Sequence, residues 1–107
     1  MICKSKLQRA MDGLGYRESS IGTEYIRAAV GMVDAERTVM MCKDVYPAIA
    51  RAAGTTPARV ERCIRSATDA ASRSPMWDKE WREMGGWGHP TNNELIRRLA
   101  RECRVED

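Results

Sequence analysis

The junction Ala53-Gly54-Thr55-Thr56-Pro57 constrains this chain more than any other stretch. Glycine is the residue that most readily leaves a helix in the left-handed conformation. Threonine caps a new helix, and proline fits its first position because the N–H it lacks would have no partner there. One helix must therefore end and another begin within three residues, which makes the two neighbours across a short turn, the outline of a helix-turn-helix. The upstream helix is expected to open at Asp44 as its cap and run to Ala53, with Val45, Ile49 and Ala52 or Ala53 inward and Pro47 tolerated in the first turn. The downstream helix is expected from Pro57 to about Arg73.

Helical periodicity continues on both sides. Ile2, Cys3, Leu7, Ala10, Met11 and Leu14 recur at three- and four-residue spacing before Gly13 and Gly15 stop a first helix. Ile26, Ala29, Val30 and Val33 form a second stripe, with Thr23 as its cap and Glu24 suited to the positive end of the helix dipole. Residues 37–43 fit either one helical turn or two. Trp77, Trp81 and Met84 mark a short helix followed by a Gly85–Gly88 loop. Thr91-Asn92-Asn93-Glu94 reads as a capping box for a last helix that buries Leu95, Ile96, Leu99 and Cys103 and ends near Arg104. No segment alternates with period two, so the expected fold is all-α: a compact bundle of about six helices containing the helix-turn-helix, with residues 1–107 as a single domain.

Several function classes lose support at once. The apolar runs are only a few residues long, far short of the roughly 20 needed to span a bilayer, and the N-terminal residues lack a secretory pattern. Cys3, Cys42, Cys63 and Cys103 are far apart without a C-x-x-C pair, which favours reduced thiols in a cytoplasm. The single His89 completes no local zinc set and reads as a loop residue, so neither a metal nor a cofactor is expected. Glu80 and Glu83 lie on a polar helix face with no buried setting to tune a general acid, and no enzymatic activity is expected. The seven Met suit core filling. Trp77, Trp81 and Trp87 read as a cluster closing the core of a chain without Phe, the other reading being a platform for a protein partner.

Charge distribution says more than the net charge of +3. Of the 18 cations 14 are Arg, whose planar fork suits bidentate contacts with phosphate or guanine. At about 100° per residue, Val60, Cys63, Ile64, Ala67, Ala70 and Ala71 share one sector of the 57–73 helix, while Arg59, Glu61, Arg62, Arg65, Ser66, Asp69 and Arg73 share the opposite one. Such an outward face can read DNA. Arg62 or Arg59 can bond guanine O6 and N7, Glu61 can accept from cytosine N4, and Ser66 and Ala58 are small enough to allow close approach. Arg51, Arg65 and Arg73 can neutralise phosphates, and Thr55 and Thr56 add hydroxyl and backbone N–H donors at the helix start. The same wheel also fits an amphipathic surface helix whose charges are simply solvated, with Glu61 and Arg65 paired at i, i+4.

Tyr46-Pro47-x-Ile49-Ala50, Thr55-Thr56-x-x-Arg59-Val60-Glu61-Arg62-x-Ile64-Arg65, the Arg27-x-Ala29 region and Pro90-Thr91-Asn92-x-Glu94 together resemble the C-terminal DNA-binding effector domain of stage 0 sporulation protein A, a response regulator, from about Gly22 to Val105. The resemblance implies a six-helix fold whose recognition helix reads a short promoter box, often as tandem head-to-tail copies, with RNA polymerase as a further partner. It also implies that Glu61, Arg62 and Arg65 belong to the DNA-contacting surface, with Arg62 foremost in base reading. Two features depart from that pattern: Ser66 stands where a histidine usually follows the arginine matching Arg65, and the segment from Met76 to Gly88 is shorter and different. Only some twenty residues precede the matched region and none resembles a phosphorylation pocket, so the chain is either a piece excised from a longer regulator or a free-standing effector domain; the helix expected over residues 1–16 favours the second.

The expected function is a cytoplasmic, sequence-specific DNA-binding transcriptional regulator with helix 57–73 in the major groove of double-stranded DNA, acting on tandem sites as a dimer. Its rival is a protein-interaction module that binds a full-length regulator or RNA polymerase without reading DNA. A third origin is a phage or mobile-element protein using the same surface for its own promoters.

Overall fold

α2, Ile21–Ala35, is the element around which the others are arranged. In the computed structural model, which describes residues 1–105, it packs on α4, Pro57–Ala71, and on α6, Asn92–Glu102, and it touches α3, Tyr46–Ala53. α1, Lys4–Leu14, packs against α5, Trp77–Glu83. The reason lies in the apolar stripes. Ile26, Ala29, Val30 and Val33 of α2 are buried with Val60, Ile64 and Ala67 of α4 and Leu95, Ile96 and Leu99 of α6. Each large side chain removed from water in this way stabilises the fold by roughly 1.5–3 kcal/mol. The radius of gyration, 12.8 Å, is about that of a closely packed chain of this length, so the expected compact six-helix, all-α architecture is what the chain adopts. The only β pairing among the described residues is one antiparallel bridge, Ile2 with Arg104.

The helix-turn-helix junction follows the logic of its residues. Gly54 ends α3 at φ 69°, a conformation that a side chain would oppose, and Thr56 Oγ1 accepts a hydrogen bond from the Arg59 N–H at 3.2 Å with Pro57 at the first position of α4. α3 and α4 pack on each other across that turn. α6 opens on the anticipated reciprocal cap: Thr91 Oγ1 accepts from the Glu94 N–H at 3.1 Å while the Glu94 carboxylate accepts from the Thr91 N–H.

Several element boundaries differ from expectation. Ser20, not Thr23, stands at the N-cap of α2; Thr23 lies inside the first turn and is buried, next to Gly22, which is pressed against Cys63 and Ala67 of α4. Asp44 does not open α3: its carboxylate accepts from the Met40 N–H at 2.8 Å, at the start of a five-residue π-helical turn, Met41–Val45, that feeds directly into α3. Ala52 and Ala53 are exposed, and Ala50 is the buried alanine of α3. On α4, Ala70 is exposed and Thr68 takes its place in the core, its hydroxyl 2.7 Å from that of Tyr16. The site is dry enough that burial pushes the Tyr16 phenol well up. α4 ends at Ala71 rather than Arg73, and α6 at Glu102. Ile2 and Cys3 lie outside α1; Cys3 N–H instead donates to the Cys103 carbonyl at 2.7 Å.

α2 comes close to α4 at Gly22. A Cβ there would lie 2.3 Å from the Cys63 carbonyl oxygen and 2.6 Å from Ala67 Cβ, whereas a Cβ at Gly31 of the same helix meets nothing within 4 Å. Gly22→Ala is therefore expected to destabilise the chain by about 2 kcal/mol or more through overpacking. Gly31→Ala is expected to stabilise it by about 0.5–1 kcal/mol through helix propensity and a less flexible unfolded chain. Urea unfolding of both variants checks the pair, and equal effects would remove the close-approach account.

Candidate nucleic-acid interface

Burying Val60, Ile64, Ala67, Thr68 and Ala71 leaves the opposite side of α4 to solvent. Ala58, Arg59, Arg62, Arg65, Ser66 and Asp69 are exposed there. Arg62 lies near the centre of that face on a helical wheel, about 180° from the buried stripe. Among the described residues, neither Arg59 nor Arg62 has an ion-pair partner, so both forks remain available.

The face has two flanks that differ in composition. Arg59, Arg62 and Ser66 border a shallow groove of about 380 Å³ whose other wall is Ser20, Ile21 and Gly22. Glu61, Arg65 and Asp69 border a larger groove of about 820 Å³, closed on the far side by Tyr46 and by the His89–Asn93 segment. The residues singled out on α4 are thus brought to one helix but not to one pocket. Glu61 and Arg65 are joined to each other as an i, i+4 ion pair, and Glu61 is half-buried. Such a pair is worth a few tenths of a kcal/mol. Arg65 meets only one oxygen of the Glu61 carboxylate, and the other is still able to accept a bond.

The remaining candidates lie around this helix. Arg51 is exposed on α3, and Arg73 is exposed in the turn past the end of α4. Thr55 is half-buried and its N–H is already used, donating to the Ala50 carbonyl at 2.9 Å, so the expected backbone donor at that position is not free. Thr56 is exposed, and its oxygen is occupied as the cap of α4 while its hydroxyl proton is not.

Sequence reasoning did not single out two residues that shape this surface. Asn92 Nδ2 donates to the Glu61 carbonyl at 3.1 Å and to the Tyr46 hydroxyl at 3.2 Å, which joins the first residue of α6 to α4 and α3 together. Burial pushes the Tyr46 phenol up, against the opposing effect of that bond. Asn92 was marked only by its place in the capping box and in the Pro90-Thr91-Asn92 motif. His89 Nε2 lies 3.0 Å from Asp69 Oδ1, so the loop histidine contacts the outward face of α4 itself. Trp77 and Trp81 stack at 5.9 Å in the core, while Trp87 is 79% exposed with the Arg82 guanidinium 5.4 Å from its ring centre. The three tryptophans are therefore not one cluster.

All four cysteines are free thiols. Among the described residues no group of three or more His, Cys, Asp and Glu is arranged to hold a metal ion, and no helix is long and apolar enough to cross a membrane.

Asn92→Ala removes both bonds and leaves the Tyr46 hydroxyl without that partner. The expected cost is about 1–3 kcal/mol. Chemical denaturation measures it, and the amide signals of residues 58–62 are expected to shift with it; an unchanged spectrum there would separate Asn92 from α4.

The family model described as sporulation initiation factor Spo0A C terminal matches residues 7–103. The match begins inside α1, earlier than the Gly22 at which the resemblance was placed, so it takes in all of α2 to α6 and most of α1. With the matched span covering nearly the whole chain, the protein belongs to the Spo0A C-terminal family of sporulation initiation factors.

Proposed function

We propose that this chain is a sequence-specific, DNA-binding transcriptional regulator, with α4 entering the major groove of double-stranded DNA. Family membership supports the class. The observation that carries the residue-level reading is the outward face of α4, where Arg59 and Arg62 are exposed beside small Ala58 and Ser66. An Arg fork at such a position can donate to guanine O6 and N7 together, which is the commonest specific contact in the major groove. Arg62 reads a base. Arg59 and Ser66 contact the same strand region from one flank, and Glu61 accepts from cytosine N4 once Arg65 turns to a phosphate. Arg51, Thr55 through its hydroxyl, Thr56 and Arg73 hold the backbone and set the register. A non-enzymatic role in a cytoplasm or nucleoid follows from the same reading. RNA polymerase and a second copy on tandem sites are the protein partners it implies.

One observation favours the second reading, a module that binds a full-length regulator or RNA polymerase without reading DNA. Trp87 is a large aromatic residue left in solvent on a glycine-flanked loop, the kind of side chain that anchors protein interfaces.

A salt-titrated gel shift with promoter-like and scrambled duplexes separates the two. No binding at low salt, where phosphate attraction is strongest, favours the second. Under the first reading, Arg62→Ala is expected to cost about 1–3 kcal/mol and to relax base preference at one position. Arg73→Ala is expected to weaken specific and random duplexes alike and to reduce the salt slope by about 1. Equal losses on both duplexes for Arg62→Ala would refute its base-reading role. Selection of bound sequences from a random duplex pool then supplies the operator.

A further inference from the structure

Towards the opposite end of α6 from Asn92, four guanidinium groups converge. Arg37, Arg97, Arg101 and Arg104 line a concavity of about 200 Å³ floored by Val33 and Ala100. Arg97, Arg101 and Arg104 follow each other at i, i+4 and i+7 along one side of α6 and just beyond its end, and Arg37 meets them from the segment after α2. Like charges at that spacing oppose helix formation.

Two of the four are held in place by the fold. Arg97 donates to Asn93 Oδ1 at 2.8 Å, to the Arg37 carbonyl at 3.3 Å and to the Val39 carbonyl at 2.6 Å. Arg104 Nε lies 3.4 Å from Asp34 Oδ1, and both atoms are buried without a hydrogen-bond partner. Arg37 and Arg101 are exposed and, among the described residues, have no ion pair. The result is a concavity with two pre-oriented forks and two free ones.

We propose that this concavity is an oxyanion site that takes a phosphate group. A carboxylate offers two oxygens and is satisfied by one guanidinium fork. A phosphate ester offers more acceptor oxygens and, as a monoester, close to two charges, so it can accept from several forks at once and offset their repulsion. Because Arg97 and Arg104 are already ordered, binding must immobilise only Arg37 and Arg101. The C-terminal end of the helix dipole opposes an anion here, but with roughly half a charge against four positive ones, of which Asp34 offsets one. The site is on α2 and α6, apart from the outward face of α4, and does not depend on the DNA reading. The phosphate comes either from a free phosphorylated metabolite or from a DNA backbone, and the chemistry of recognition is the same.

The test titrates inorganic phosphate into the full chain at an ionic strength held constant with chloride. The backbone amides of Val33, Ala100 and Arg101 and the thermal midpoint are followed. Saturable amide shifts and a midpoint that rises by a few degrees are expected. Both should persist in Arg62→Ala and be lost in the Arg37→Ala, Arg101→Ala double variant, whose replaced side chains are exposed. Shifts that match those of chloride alone, that never saturate, or that survive in the double variant would overturn the proposal. A second arm measures duplex binding by the double variant. A salt slope smaller by about two assigns the phosphate to the DNA backbone, and unchanged DNA binding assigns it to a free ester; both support the site. A chain that fails to bind any duplex while keeping the phosphate response leaves this site standing and removes only the DNA reading.

Discussion

The inner stripe of α4 against α2 is the contact from which the rest of the surface follows. Val60 and Ile64 are fully buried, and the two helices come close enough that Gly22 admits no side chain. A helix fixed on one side has no freedom to rotate, so the direction in which Arg62 points is set by residues that never meet solvent. Apolar burial here does two jobs: it stabilises the fold, and it fixes which charges face outward.

That coupling explains why so much was legible in the sequence. The Gly54 exit, the Thr56 and Thr91 caps, the Pro57 start and the Val60, Ile64, Ala67 and Ala71 part of the α4 stripe are local rules acting within a few residues, and each is seen where spacing predicted it. What escaped depended on partners distant in sequence. Thr23 looks like a cap by residue type, yet it lies inside α2 and is buried. Thr68 is polar but buried, because Tyr16, fifty-two residues away, supplies a hydroxyl. Ala52 and Ala53 are apolar but exposed, as alanine is small enough to leave in water at little cost. No periodicity marked the π-helical turn at Met41–Val45, which follows from Asp44 binding back to Met40 rather than forward into α3.

The candidate interface shows the same division. The outward sector of α4 was readable as a sector, since a wheel requires only 3.6 residues per turn. Its split into two flanks was not, because the walls of the grooves come from α2 on one side and from the loop before α6 on the other. The i, i+4 pairing of Glu61 with Arg65 was readable too, but not that Asn92 holds the carbonyl of Glu61 from a different helix. Residue type identified the chemistry of this face, and only tertiary packing determined which groups are free to use it.

The bridge between Ile2 and Arg104, with the Cys3 N–H on the Cys103 carbonyl, brings the two ends of the described chain side by side. Topologically the bundle is nearly a closed ring. A short linker joining those ends, with a new opening cut into the exposed glycine-rich loop around Gly85–Gly88, would give a circular permutant with every helix still in its place.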